Sequence, residues 1–458
     1  MSHTQKWKVT CPKLQRVQEK AQANKQEQFT SLAHHLTEEA LLRSYRRLKA
    51  SSAPGIGGLT KAGYGKHLMS NLKELHARLR SGVYRASPAL RHWIDKANGE
   101  KRPIGLLTTE DKIVQGAVVE ILSCIYEEDF YGFSYGFRPC RSQHRALRAL
   151  QSFLQKGQVN WVLDLDLKGC FDNISHQSLQ STLQHRVTDR SMARLIGKWL
   201  KVGVVEADGR REKGKVGTPQ GAVISPLLAN IVLHEAMDQV IHHWRQHKAR
   251  GEVYVVRYAD DCVLGFEYEA DAHALKSVLE ASLADYGLSM NEAKTRLIRF
   301  GRKWPSKGEK SETFDFLGLT HIAGKDRQGR YLVIRKTMRK RIHRSLKIIV
   351  EWCSKHRHAP VRWQWVELNR KLTGHYNYYG VRGNFAALAR FRGRIRQIWF
   401  NALMRRSQKS KKAKVHHLVD EVFVLAKPRI THSEGWLMLK PGYLAGRAGC
   451  GNAARPVL

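Results

Sequence analysis

The chain has 458 residues, 42% of them hydrophobic, enough for a sizeable core and roughly two to four structural units. It carries 79 Lys and Arg against 40 Asp and Glu, a formal net charge of +39; self-repulsion of that size points to a polyanionic partner, nucleic acid first. Without a long apolar run, a signal-peptide core or any Cys-x-x-Cys pair among its 7 scattered cysteines, the sequence speaks against a membrane protein, a disulfide framework and a zinc ribbon, and a reducing cytoplasm, or the nucleoid within it, is expected.

In chain order, residues 1–30 read as a basic, poorly ordered start and 31–90 as an N-terminal extension. Within the extension, Leu36 to Leu48 and Tyr64 to Leu79 have helical spacing on either side of the breaker-rich stretch 51–58. His92 to Leu107 reads as strand, turn, strand, with Asn98-Gly99 at the turn. Asp111 to Tyr126 and Arg141 to Lys156 are predicted helices. Trp161 to Leu167 alternates as a strand, and its period of two puts Asp164 and Asp166 on one face. Ser225 is placed as the N-cap of a helix with Pro226 at its first position. Val253 to Leu264 reads as a hairpin with Ala259-Asp260-Asp261 at its turn. Met338 to Trp352, Trp363 to Tyr379 and Phe385 to Met404 are predicted helices with one apolar face and dense Arg and Lys elsewhere. The boundaries drawn are 91–333 for a catalytic body, 334–405 for the helical block and 406–458 for a basic linker with a short C-terminal segment.

Two neighbouring acids on a turn between apolar strands repel each other and gain nothing from packing. A divalent metal makes such an arrangement favourable, because a hard cation takes oxygen ligands and leaves positions open for phosphates. Asp166 on one strand with Asp260 and Asp261 on the hairpin is the carboxylate set that two-metal nucleotidyl transfer requires. Asp164 is left open between that set and a structural role; Asp172, ahead of Asn173 and a helical pattern, is read as a helix cap. Lys96 and Arg102 flank the Asn98-Gly99 turn, where a mobile pair of cations could grip a triphosphate or simply be solvated.

Tyr258-Ala259-Asp260-Asp261 resembles the Tyr-x-Asp-Asp box of reverse transcriptases, and the surrounding series resembles the reverse transcriptase/maturase of bacterial group II introns. The similar blocks are Arg102-Pro103-Ile104-Gly105, Ser134-Tyr135-Gly136-Phe137-Arg138-Pro139, Asp166 to Ile174, Gly217 to Asn230, Asn291 to Thr295, and Phe316-Leu317-Gly318. Leu372 to Tyr379 is similar to the family's thumb. The resemblance implies an α+β right-hand polymerase, with fingers and palm in 91–333, an antiparallel palm sheet bearing the catalytic hairpin, and an α-helical thumb in 334–405. It implies Asp166, Asp260 and Asp261 as catalytic carboxylates holding two Mg²⁺ ions, for which Mn²⁺ could substitute, with the Leu167 carbonyl as a further ligand. Phe171 would stack under the incoming sugar, Gln220 would line the nucleotide site, and Lys96 and Arg102 would hold the triphosphate. Arg138 and Lys294 would contact primer and template. The family's usual acid before the first block is missing from Gly55-Ile56-Gly57-Gly58, and its double glycine after Gln is Gly221-Ala222. No Cys/His cluster of the kind found in family members with an endonuclease domain is present, so self-contained target cutting is not expected.

The basic helices suit the backbone of an RNA or RNA–DNA duplex, read mainly by shape. Arg341 and Arg344 stand on one and Arg394 on another. The expected partners are an RNA template, intron RNA, a DNA or RNA primer and dNTPs, without a membrane. Two other readings stay open: a domesticated reverse transcriptase in DNA repair or phage defence, and a non-catalytic RNA-binding splicing cofactor. The sequence leaves the RNA partner and the oligomeric state undetermined.

Overall fold

The helix Thr109–Asp129 is buried along most of its length, with Ile113, Val114, Ala117, Val118, Ile121 and Ile125 fully enclosed. In the computed structural model the described residues are 11–95, 101–206, 208–212, 214, 216–302, 312–407 and 411–432. They gather into two units, one drawn from within Met1–Ala146 and Leu163–Leu297, the other from within Leu147–Val162 and Ile298–Gly442. Thr108 starts the central helix: its hydroxyl oxygen accepts from the Asp111 amide at 3.2 Å while its own proton goes to the Asp111 carboxylate at 2.6 Å. Helices Pro12–Ala23 and Glu38–Arg47 pack on it. The first of these corrects the expectation of a poorly ordered start, since Leu14, Val17 and Ala21 form a buried stripe on one face.

The strands are β1 (Ala89–Asp95), β2 (Lys101–Leu106), β3 (Trp161–Leu165), β4 (Val204–Val205), β5 (Arg211–Glu212), β6 (Val253–Tyr258), β7 (Asp261–Phe266), β8 (Arg296–Arg299), β9 (Thr313–Phe316), β10 (Leu319–Lys325) and β11 (Tyr331–Thr337). They form three sheets, ordered β2-β1-β4-β5, β6-β7-β3-β8 and β11-β10-β9. β1 and β2 pair antiparallel from Leu90 opposite Leu106 to Asp95 opposite Lys101, as the hairpin reading requires. β6 and β7 pair antiparallel from Val253 opposite Phe266 to Tyr258 opposite Asp261. Their residues are buried from Val253 to Arg257 and again from Cys262 to Phe266, so this hairpin is enclosed on both faces up to its turn.

Two caps differ from expectation. The helix Ser225–Leu233 has Ile224 at its N-cap, and the Ser225 hydroxyl instead donates to the Pro219 carbonyl at 2.9 Å. Asp172 lies inside the short helix Cys170–Asn173; the following helix, His176–Gln184, is capped by Ser175, which accepts from the Ser178 amide. In the second unit, Arg339–Lys355, Val361–Tyr379 and Phe385–Met404 close around Leu368, Leu372, Tyr376, Leu388, Ile395 and Trp399. Trp399 and Tyr376 are core, and the indole N–H of Trp399 donates to Gln364 Oε1 at 2.9 Å. Trp363 stays partly exposed, stacked on Trp352 with centroids 5.6 Å apart. Among the described residues no helix is long and apolar enough to cross a membrane.

Candidate active site

The acid-bearing turn follows from its backbone. Ala259, between β6 and β7, adopts φ 58°, a left-handed conformation unusual for a residue with a Cβ. The chain thereby reverses at once, leaving Asp260 half-buried and Asp261 at the open edge. Asp166 follows β3, fixed by a hydrogen bond from the Asn291 amide to its carbonyl at 2.8 Å. Its carboxylate accepts from Asn291 Nδ2 at 3.1 Å and from Lys294 Nζ at 3.2 Å. Leu167, buried beside it, bridges to Met290.

The three acids lie close enough to perturb one another. Burial, then the charge of Asp166, pushes Asp260 up, against Arg102 and Arg257. Asp261 is exposed by residue surface, but the protein around its carboxyl withholds solvent; that desolvation, followed by Asp260, Asp166 and Asp164, pushes it up to about 7, with Lys294 opposing. Crowded carboxylates that resist ionisation are what a cation relieves. Among the described residues no three His, Cys, Asp or Glu side chains are gathered closely enough to hold a metal ion by themselves. The donor set of hard oxygens fits a divalent cation. Asp164, 3.6 Å from Arg296, is paired apart from this set but still adds to the field on Asp261.

Beside the acids, the loop from Gly217 is stitched to the Phe171 segment. Gly217 and Thr218 donate backbone hydrogen bonds to Ile174 and Phe171 at 2.9 and 2.7 Å. Gly217 has φ 82°, and a Cβ there would lie 2.5 Å from the Asp172 carbonyl oxygen, so glycine is required. Gln220 Nε2 donates to both Asp172 oxygens at 2.9 and 2.8 Å, while Gln220 Oε1 accepts from Arg102 Nε at 2.7 Å. Arg102, Gln220 and Asp172 therefore form one polar chain. The Phe171 ring meets Phe137 edge-on at 6.5 Å, and Phe137 also approaches Tyr258 at 6.4 Å.

The structure thus brings together Asp166, Leu167, Asp260, Asp261 and Lys294, and joins Arg102 to Gln220 near Phe171. Lys96 and the Asn98-Gly99 turn lie outside the described residues. Arg138 departs from its expected primer contact: its buried guanidinium binds Glu127 at 3.0 Å and the Tyr131 and Ser134 carbonyls at 2.7 and 2.9 Å. Arg341, Arg344 and Arg394 are exposed on their helices. By contrast, Arg392 donates to the Leu425 carbonyl and Arg396 pairs with Asp420, so not every cation of that helix is free for phosphate. Phe137 stands in one of the similar blocks, but its exposed ring, its φ of 57° and its contacts with Phe171 and Tyr258 are visible only in three dimensions. Sequence reasoning missed Asp172 as the partner of Gln220.

A profile of the family described as reverse transcriptase (RNA-dependent DNA polymerase) matches residues 94–321. Protein YkfC of Escherichia coli is 33% identical over 320 residues, covering 62% of this chain and 80% of that protein. Group II intron-encoded protein LtrA of Lactococcus lactis subsp. cremoris is 39% identical over 233 residues, 50% of this chain but 38% of LtrA. A putative COX1/OXI3 intron 1 protein of Saccharomyces cerevisiae is 28% identical over 320 residues, 59% of this chain and 37% of that protein. The matched domain implies a right-hand polymerase fold, and the mixed helices and sheets agree with it. With four fifths of YkfC spanned and the reverse transcriptase region matched, the chain belongs to the group II intron-encoded reverse transcriptase/maturase family, the RNA-directed DNA polymerases.

Proposed function

We propose that this protein copies RNA into DNA by divalent-metal nucleotidyl transfer, with intron RNA as its template and splicing partner. The meeting of Asp166, Asp260 and Asp261, where burial and then the neighbouring charges raise the proton affinity of Asp261, is the observation that carries this reading. These carboxylates and the Leu167 carbonyl would hold two Mg²⁺ ions, or Mn²⁺ in their place. When bound, such ions stabilise the departing pyrophosphate and favour ionisation of the primer 3′ hydroxyl.

The remaining roles belong to the chain itself. Arg102, released from Gln220 by an incoming nucleotide, would grip its triphosphate together with Lys96. Gln220 would line the nucleotide site, and Asp172 would hold it ready. Phe171 would stack beneath the sugar and exclude a 2′ hydroxyl sterically. Lys294, paired with Asp166, would approach the primer end. Residues 91–333 would then be fingers and palm, 31–90 an N-terminal extension, and 334–405 a thumb whose exposed Arg341, Arg344 and Arg394 track the duplex backbone. Support for the intron partner comes from the likeness to LtrA, a group II intron-encoded protein. The test is primer extension on an RNA template: Asp260→Ala should abolish extension and keep RNA binding. Extension at the wild-type level by that variant would overturn the assignment.

A further inference from the structure

Behind the acid-bearing turn lies a charge pair sealed from solvent. Arg257 and Asp238 are both 0% exposed. The guanidinium meets the carboxylate as a fork, Nε to Oδ1 at 2.7 Å and Nη2 to Oδ2 at 2.5 Å. The remaining nitrogen, Nη1, donates to Asn230 Oδ1 and to the Ala259 carbonyl, both at 2.9 Å. Asn230 extends the chain of bonds, its Nδ2 donating to the Gly136 carbonyl at 2.8 Å.

Gly136 itself presses on the turn. A Cβ on it would lie 2.2 Å from the Ala259 nitrogen, so no other residue allows this approach. The same segment flanks Arg257 through backbone hydrogen bonds, Tyr135 N to Arg257 O at 2.8 Å and Arg257 N to Phe133 O at 2.9 Å. Asp238 sits in the π-helical turn His234–Gln239, an irregularity frequent at functional sites. Burial opposes the charge on Asp238, but Arg257 and His234 hold its carboxyl below the usual range, so the pair is ionised.

Two considerations separate this network from ordinary core packing. A buried ion pair adds little stability over apolar residues of similar volume, so stability alone is a weak reason for it. Its spare donors also end on the turn and on the segment facing it, where Ala259 holds a left-handed φ of 58°. A non-glycine residue keeps such a conformation only when its surroundings enforce it.

We infer that Asp238, Arg257 and Asn230 form a positioning network that fixes the Ala259-Asp260-Asp261 turn, so that its carboxylates are preorganised with Asp166 for divalent cations. This rests on the catalytic reading of those acids given above. None of the three touches the reacting atoms; they act through the Ala259 and Gly136 carbonyls.

Two variants of the full chain test it. Asn230→Ala cuts the link to Gly136 and leaves the charge pair in place. The double variant Asp238→Leu/Arg257→Met replaces the pair by apolar bulk and removes the grip on Ala259. Each is compared with wild type in thermal unfolding, primer–template affinity, single-turnover extension, and Mn²⁺ binding by electron paramagnetic resonance. The Mn²⁺ measurement uses a complex stalled on a dideoxy-terminated primer, so it needs no turnover. The expected result is a folded protein with unchanged primer–template affinity. Mn²⁺ affinity should fall roughly 10- to 100-fold, and extension should slow on the order of 100-fold in the double variant. Wild-type Mn²⁺ affinity and rate in the folded variants would overturn the inference, as would a lowered melting temperature with both quantities intact. If the double variant fails to fold, Asn230→Ala decides. Asp260→Ala, run in parallel, keeps the two claims apart: if it extends normally the catalytic reading fails, and if it is dead while the network variants are normal only the positioning claim fails.

Discussion

Asp261→Asn should make the metal-free protein more stable while destroying its activity. In the wild type, burial and then the charges of Asp260, Asp166 and Asp164 raise the Asp261 carboxyl from 3.8 to about 7. That difference of about 3 pH units, at about 1.4 kcal/mol each, sets a ceiling of about 4 kcal/mol. Asp261 is exposed by surface area although its carboxyl is crowded by protein, and solvent screening brings the effect down to on the order of 1–2 kcal/mol. The folded state holds the proton more tightly than the unfolded chain, so stability falls as pH rises from about 4 to about 7 and then levels. Asparagine, which cannot ionise, escapes that loss. Thermal melts with chelator at pH 8 should therefore show the variant higher by roughly 2–8 °C for a body of this size. The gain should shrink steadily below pH 7 and vanish near pH 4. Millimolar Mg²⁺ should reverse the order at pH 8, since a ligand stabilises the state that binds it. A variant no more stable than wild type at pH 8 in chelator, or a gain independent of pH, would refute the electrostatic account.

Arg102→Ala should raise the KM for dNTP about 10-fold or more by removing a charge-assisted hydrogen bond to phosphate, measured by steady-state extension. Phe171→Ala should admit ribonucleotides, read as the ratio of kcat/KM for rNTP to that for dNTP; an unchanged ratio would remove Phe171 from the sugar site. Arg341→Glu with Arg344→Glu should weaken duplex binding and flatten its salt dependence, the slope of log K against log[salt] falling by about 0.9 for each phosphate no longer neutralised; titrations at several salt concentrations check it. Trp399→Ala should cost about 3–5 kcal/mol through the cavity left in the three-helix core, visible as a lower denaturation midpoint.

Much of the site was legible because its chemistry is local in sequence. Asp260 and Asp261 interrupt an apolar hairpin where acids are otherwise costly, and Asp166 ends an apolar strand, so their positions stand out. The helices around Trp399 were legible for a similar reason, since their apolar spacing repeats over several turns. What stayed hidden depends on residues far apart in the chain. Arg138 and Arg257 look like other cations in so basic a sequence, and only burial against Glu127 and Asp238 separates them from phosphate-binding arginines. Asp172 reads as a cap by local rules, but its carboxylate is taken by Gln220. Ser225 and Pro226 make a good helix start, yet the hydroxyl turns back to Pro219, one residue off the expected register. The helix Pro12–Ala23 was obscured by charge, since its buried stripe is three small or medium residues among polar ones.

Incorporation of one dNTP into a primer on an RNA template, followed in a single turnover with Mg²⁺, tests the central claim most directly. Wild type should extend the primer, and chelator should stop it. Asp166→Ala, Asp260→Ala and Asp261→Ala should each bind the primer–template normally and fail to extend. Extension by any of the three at the wild-type rate, or by wild type in chelator, would contradict the claim that these carboxylates hold the metal that makes DNA on RNA.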